Sequence, residues 1–123
     1  MKIIFIAGPY FEDGNQDKIE KNIREAEKYQ IVLANQGIGF FCAHNHTEHF
    51  EKKANAPEDF YRELDMLILQ KAADAMIAIP GWEKSKGTRA EVEWAQKNNL
   101  KIFFPKSPNN LEKIIRWAKE QLI

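Results

Sequence analysis

The chain has one cysteine, no excess charge of either sign, and no apolar run near the roughly 20 residues that a bilayer crossing needs. A lone Cys42 excludes an internal disulfide and fits a small buried thiol in a reducing cytosol. Eighteen Lys and Arg stand against 18 Asp and Glu. That balance argues against a domain built to grip the phosphates of a nucleic acid polymer. Repeats, low-complexity segments and linkers are missing as well. At 44% hydrophobic and 29% charged over 123 residues, the composition is that of one compact domain spanning residues 1–123. Such a domain buries about two-thirds of its unfolded surface. The start, Met1-Lys2-Ile3-Ile4-Phe5-Ile6-Ala7, is too short for a signal-peptide core and is stopped by Gly8-Pro9. It reads as a buried strand of a cytoplasmic protein.

What is present is an alternation of short apolar runs with longer amphipathic stretches. Ile3 to Ala7 is continuous, as in a central strand covered on both faces. Over 15–35, Ile19, Ile23, Ala26, Ile31 and Ala34 fall at helical spacing, with Gly37 as the stop. Residues 38–43 predict a second strand, 44–57 a polar His-rich loop, and 58–72 a helix with Leu64, Leu67, Ile68 and Lys71 on neighbouring turns. A third strand over 74–79 ends at Pro80-Gly81. A loop to Thr88 then leads into a helix through Lys97. A fourth strand covers 101–104, and a last helix over 110–122 puts Ile114, Ile115, Ala118 and Leu122 on one face. This pattern predicts an α/β three-layer sandwich with a mainly parallel sheet of four to five strands. In such sheets ligands bind beyond the carboxyl ends of the strands. Residues 8–14, 43–57, 80–88 and 105–109 are therefore the candidate site segments.

The first of these, Gly8-Pro9-Tyr10-Phe11-Glu12-Asp13-Gly14, lacks the glycines and lysine of a phosphate cradle. Tyr10 and Phe11 offer flat surface and a hydroxyl, suited to a sugar or nucleobase, or else close the edge of the core. Ser85, Gly87 and Thr88 place hydroxyls and N–H groups at a helix start, where an anionic or hydroxylated ligand is favoured. Thr88-Arg89-Ala90-Glu91 also matches a capping box, in which Glu91 serves the helix end and no chemistry. Asp65 reads on its own as a solvated helix carboxylate. His44, His46 and His49 suit zinc by spacing. With no second ligand cluster in the sequence, they read as ligand-contacting or loop-organising, and no metal is expected.

Taken together these residues resemble the nucleoside 2-deoxyribosyltransferase superfamily, which includes 2'-deoxynucleoside 5'-monophosphate N-hydrolases and small uncharacterised relatives. The likeness is carried in order by Ala7-Gly8-Pro9-Tyr10, Asp65, Ala73-Asp74 and Ser85-x-Gly87-x-x-x-Glu91. It implies a flavodoxin-like fold and cleavage of the N-glycosidic bond of a (deoxy)nucleoside or its 5'-monophosphate, with transfer to water or another base. The glutamate matching Glu91 attacks the anomeric carbon and forms a glycosyl ester. The aspartate matching Asp65 assists the departing base or positions the sugar, and the tyrosine matching Tyr10 lies beside the sugar. Gly8, Pro9, Phe11, His44, Trp82, Ser85, Gly87 and Thr88 are the expected substrate contacts, with a plain lid or subunit contact equally open for Trp82.

The resemblance also implies a homo-oligomer, since a neighbouring subunit commonly completes each site in that family. A serine at the Ser85 position implies a 5'-phosphate, whereas Glu12 and Asp13 depart from the hydrolases and leave nucleosides open. No cofactor, membrane or nucleic acid polymer is expected. Two other readings stand beside this one: a non-catalytic nucleotide-binding or sensing domain of the same fold, and a metal-dependent hydrolase built on the histidines.

Overall fold

In the computed structural model, which describes residues 1–120, the first apolar run forms β1 (Ile3–Ala7). Its side chains alternate between two covered faces. Ile4 and Ile6 join one apolar cluster, and Phe5 and Ala7 join another. A short 3-10 turn (Glu12–Gly14) then leads into α1 (Gln16–Asn35), capped by Asn15, whose side-chain oxygen accepts the Lys18 N–H at 3.1 Å. The helix stops where the sequence predicts. Gly37 has φ +71°, with Gly37 N–H donating to Ala34 O and Ile38 N–H to Leu33 O. This is a Schellman ending, which favours glycine because the position is left-handed.

β2 (Gly39–Cys42) follows, then two short helical turns, α2 (Ala43–His46) and α3 (Phe50–Lys53), and the longer α4 (Glu58–Ala72). After β3 (Ala75–Ala78) come a 3-10 turn (Trp82–Lys84), α5 (Lys86–Lys97), β4 (Lys101–Phe103) and α6 (Glu112–Glu120). The four strands pair in the order β2-β1-β3-β4, all parallel. One layer, with α1 and α6, packs on Ile4, Ile6 and Ile77; the other, with α4 and α5, packs on Phe5, Met76 and Ala78. The fold is thus the α/β three-layer sandwich of flavodoxin-like type, with four strands among the described residues.

Several local expectations are corrected. The core face of α1 runs through Ile19, Ile23, Ala26, Tyr29, Gln30 and Leu33. Ile31, at 53% exposure, and Ala34 stand one position off that face. In α4 the inward stripe ends at Leu69, so Leu67, at 49%, and Lys71 point outward. Residues 43–57 contain two helical turns where a plain loop was expected. Helix α5 begins three residues earlier than the Thr88 start, at a Ser85 cap. Leu122 lies outside the described residues, while Ile114 and Ala118 are buried as expected.

The end of β1 is fixed by a close approach. A Cβ on Gly8 would overlap the Ile79 side chain, lying 2.6 Å from its Cδ1. A Gly8→Ala substitution is therefore expected to lower stability by about 1–3 kcal/mol through overpacking. Chemical denaturation would show this as a lower midpoint with an unchanged slope.

Candidate active site

Strand order sets the place of the site. The chain leaves β1 towards β2 on one side and returns to β3 on the other, which opens a crevice at the carboxyl ends of the strands. A cavity of about 450 Å³ lies there, on the side of α4 and α5. Segments 8–14, 43–57 and 80–88 supply lining residues, as expected. Segment 105–109 does not, because β4 is the edge strand on the far side of β3. Lys106, Ser107 and Pro108 instead border a smaller hollow beside α1. The part of the wall that sequence reasoning missed is the rest of the first half of α4 around Asp65: Glu58, Tyr61, Arg62 and Met66. The spacing 58, 61, 62, 65, 66, 69 is one helix face. A core face interrupted by charge where it meets a cavity was the available signal.

Helix α5 is tied to the sheet at its first turn. The Ser85 side chain accepts the Thr88 N–H, and buried Thr88 places its Oγ1 3.0 Å from both Gly8 O and Ser85 Oγ. Thr88, Val92 and Ala95 form the buried stripe of the helix, which leaves Glu91 beside it, facing the cavity. The capping-box reading of Glu91 is thereby excluded, because the cap lies at Ser85 and Glu91 is a full turn further in. A Cβ added at Gly87 would meet nothing within 4 Å, so that wall is open.

Asp65 and Glu91 face the same cavity from adjacent helices. Burial pushes the Glu91 carboxyl up to about 8, helped by the nearby Asp65 charge, and pushes Asp65 up to about 6. Among the described residues neither is paired with a cation. Arg62 is held by Glu58 one turn away, and Arg89 donates to the Glu83 carbonyl at 2.7 Å. Two buried side-chain oxygens among the described residues have no hydrogen-bond partner, Asp65 Oδ1 and Tyr61 Oη.

Tyr10 lines the cavity, yet its hydroxyl is already engaged. It donates to Glu51 at 2.9 Å and accepts the His49 N–H at 2.9 Å. Burial raises its pKa well above the ordinary phenol value. The hydroxyl thereby fastens the α2–α3 segment to the first loop. Tyr10→Phe would strand a half-buried carboxylate and a backbone donor, and is expected to cost about 1–2 kcal/mol. Thermal unfolding of the variant beside the wild type measures it.

His44 is buried and lines the cavity, with Nε2 2.7 Å from the Pro9 carbonyl and Nδ1 3.6 Å from Cys42 Sγ. A carbonyl only accepts, so Nε2 carries the proton and Nδ1 faces the thiol. Burial keeps the ring neutral and raises Cys42 to about 12. His49 turns away, its nitrogens 3.0 Å from Gln16 Oε1 and 2.9 Å from Glu20 Oε1. His46 tilts against Phe41. The three rings therefore face different partners, and no cluster of three metal-ligating side chains occurs among the described residues.

Of the expected contacts, Gly8, Tyr10, Phe11, His44, Asp65, Ser85, Gly87, Thr88 and Glu91 are brought together. Two are not. Trp82 packs against Phe104 with ring centroids 5.5 Å apart, because the 3-10 turn carries it over the apolar layer at β4. The Pro9 ring faces Gly81 and the smaller hollow, so the residue reaches the site only through its carbonyl.

Fold and site together define a flavodoxin-like α/β protein with a carboxylate pair at the switch point of its parallel sheet. The chain belongs to the family described as DUF4406, a domain of unknown function, whose family model matches residues 2–104. That span holds all four strands and every residue lining the cavity. No curated protein matches the chain. No helix among the described residues is long and apolar enough to cross a membrane.

Proposed function

We propose that this protein cleaves the N-glycosidic bond of a (deoxy)nucleoside or its 5'-monophosphate, through a covalent glycosyl ester on Glu91. The observation that carries this reading is the pair Asp65 and Glu91: two carboxyls in one cavity, both held by burial above their ordinary values. The similarity to the nucleoside 2-deoxyribosyltransferase superfamily at these two positions supports it.

Cleavage at an anomeric carbon passes through an oxocarbenium-like state, and needs one carboxylate to attack and one proton for the leaving group. Between about pH 6 and pH 8 the pair holds one negative charge and one proton. The developing positive charge of the sugar favours an ionised Glu91, so in the reacting complex the proton is held by Asp65. A Glu91 oxygen then bonds to the anomeric carbon while the bond to the base nitrogen breaks. The base takes the bonding electron pair and the proton from Asp65. In the second half, Asp65 takes a proton from water, or from the ring nitrogen of a second base, as that atom bonds to the anomeric carbon and frees Glu91. No step calls for a metal or organic cofactor. The start of α5, with Ser85 and the open wall at Gly87, would receive the 5' end of the sugar.

The test is release of free base, followed by liquid chromatography, from a panel of nucleosides and 5'-monophosphates, with and without a second base. The wild type is expected to release base and Glu91→Ala is not. Binding without release by either protein would replace this reading with a non-catalytic nucleotide-binding domain.

A further inference from the structure

A phenol buried without a partner costs stability, of the order a lost hydrogen bond costs. Tyr61 Oη is such a group, and the residue that carries it lines the cavity one helical turn before Asp65. Both oxygens belong to the same face of α4 at i and i+4 spacing. The charged neighbours on this wall are already paired, Arg62 with Glu58. The hydroxyl of Tyr61 is therefore the free polar handle beside the carboxyl.

Its place along the site follows from topology. Helices α4 and α5 each lead into a strand of one parallel sheet, so they run in the same direction. Asp65 acts electrostatically on Glu91 across the gap between them. One turn nearer the rim, Tyr61 stands on α4 and Gly87 on α5. A substrate centred between the two carboxyls therefore has two arms reaching the rim. One arm runs along α5 to the open wall at Gly87, and the other along α4 to Tyr61. Asp65, which hands its proton to the leaving base, belongs to the second arm.

We propose that Tyr61 is a specificity-determining contact that reads the nucleobase, its hydroxyl pairing with a polar atom on the edge of the base beyond the nitrogen that Asp65 serves. This rests on the N-glycosidic reading above. Tyr61 takes no part in bond breaking; it holds the base in one orientation so that its nitrogen meets Asp65. A phenol hydroxyl both donates and accepts, so it pairs with a ring nitrogen, a carbonyl or an amino group, and the preferred base is the one that fits.

Isothermal titration of the wild type and Tyr61→Phe, each carrying Glu91→Gln so that no base is released during the titration, tests this with the four 2'-deoxynucleosides and with 2-deoxyribose 5-phosphate, which carries no base. The variant is expected to bind its best nucleoside about 5- to 30-fold more weakly, to lose preference among the four, and to bind the base-free sugar phosphate as the wild type does. Its unliganded melting temperature is expected to be equal or higher, since the orphaned hydroxyl is gone. Three results would overturn the assignment: equal weakening of the sugar phosphate, unchanged binding of every nucleoside, or a lower melting temperature, which would make the hydroxyl structural. A wild type that binds no nucleoside at all would instead sink the N-glycosidic reading, and this inference with it.

Discussion

Replacing Glu91 with glutamine is expected to reduce base release by about three orders of magnitude or more, while making the folded protein more stable at pH 8. The first effect follows from losing the atom that forms the glycosyl ester, for which a neutral amide is no substitute. The second follows from the cause of its raised pKa. A carboxyl whose ordinary value is 4.5 and whose folded value is about 8 binds its proton more tightly in the folded state. Its contribution to stability is fully present below about pH 4.5 and is lost as pH rises to about 8. Each pKa unit is worth about 1.4 kcal/mol, so the wild type gives up on the order of 5 kcal/mol across that window. Glutamine removes the dependence. The melting temperatures of the two proteins are therefore expected to be close at pH 4.5 and to diverge, with the variant higher, towards pH 8. A residue kept for packing would show the reverse, a loss of stability on substitution at every pH.

A bell-shaped pH dependence of base release, with its optimum near pH 7, is the second large effect. Below about 6 both carboxyls are protonated and none can attack; above about 8 both are ionised and the leaving base has no proton to take. Activity is expected to fall tenfold for each pH unit beyond either limb. The limbs belong to the pair and not to single residues. Asp65→Asn is accordingly expected to abolish the upper limb, since the acid whose proton is lost there is gone. It leaves a slow reaction that rises with the ionisation of Glu91, at a lower pH than in the wild type because the Asp65 charge no longer raises that carboxyl. Rates for wild type and variant across pH 4 to 10, read on a substrate with a good leaving base, check both statements. A flat profile through this range would remove the shared proton from the mechanism.

How far the fold and site were legible depends on which physical signal each part uses. The strands and the limits of α1 and α4 were readable because apolar runs, Asn15, Gly37 and Pro57 mark them locally. Helix α5 was misplaced by three residues. Ser85 and Thr88 are both good caps by type, and tertiary contact decided between them: Thr88 is drawn inside to the Gly8 carbonyl. The helical turns at 43–46 and 50–53 have no apolar periodicity, being held by Tyr10, Glu51 and His44 across the chain. In the site, Glu91 and Asp65 were singled out by resemblance, while spacing alone favoured a cap and a solvated face. Tyr61 was missed because a lone helix tyrosine reads as core edge until its unpaired oxygen is seen. Trp82 was assigned to the ligand on the strength of its loop, and the 3-10 turn carries it instead to Phe104.

The central claim is the covalent bond to Glu91, and mass spectrometry tests it most directly. Protein mixed with a 2'-deoxynucleoside or its 5'-monophosphate is quenched in acid during turnover, digested and analysed. The peptide carrying Glu91 is expected to gain the mass of one deoxyribosyl group, with its phosphate where the monophosphate is used, and the Glu91→Gln protein is expected to show no such gain. Base released at full rate with no adduct, or an adduct on any residue other than Glu91, would contradict the account.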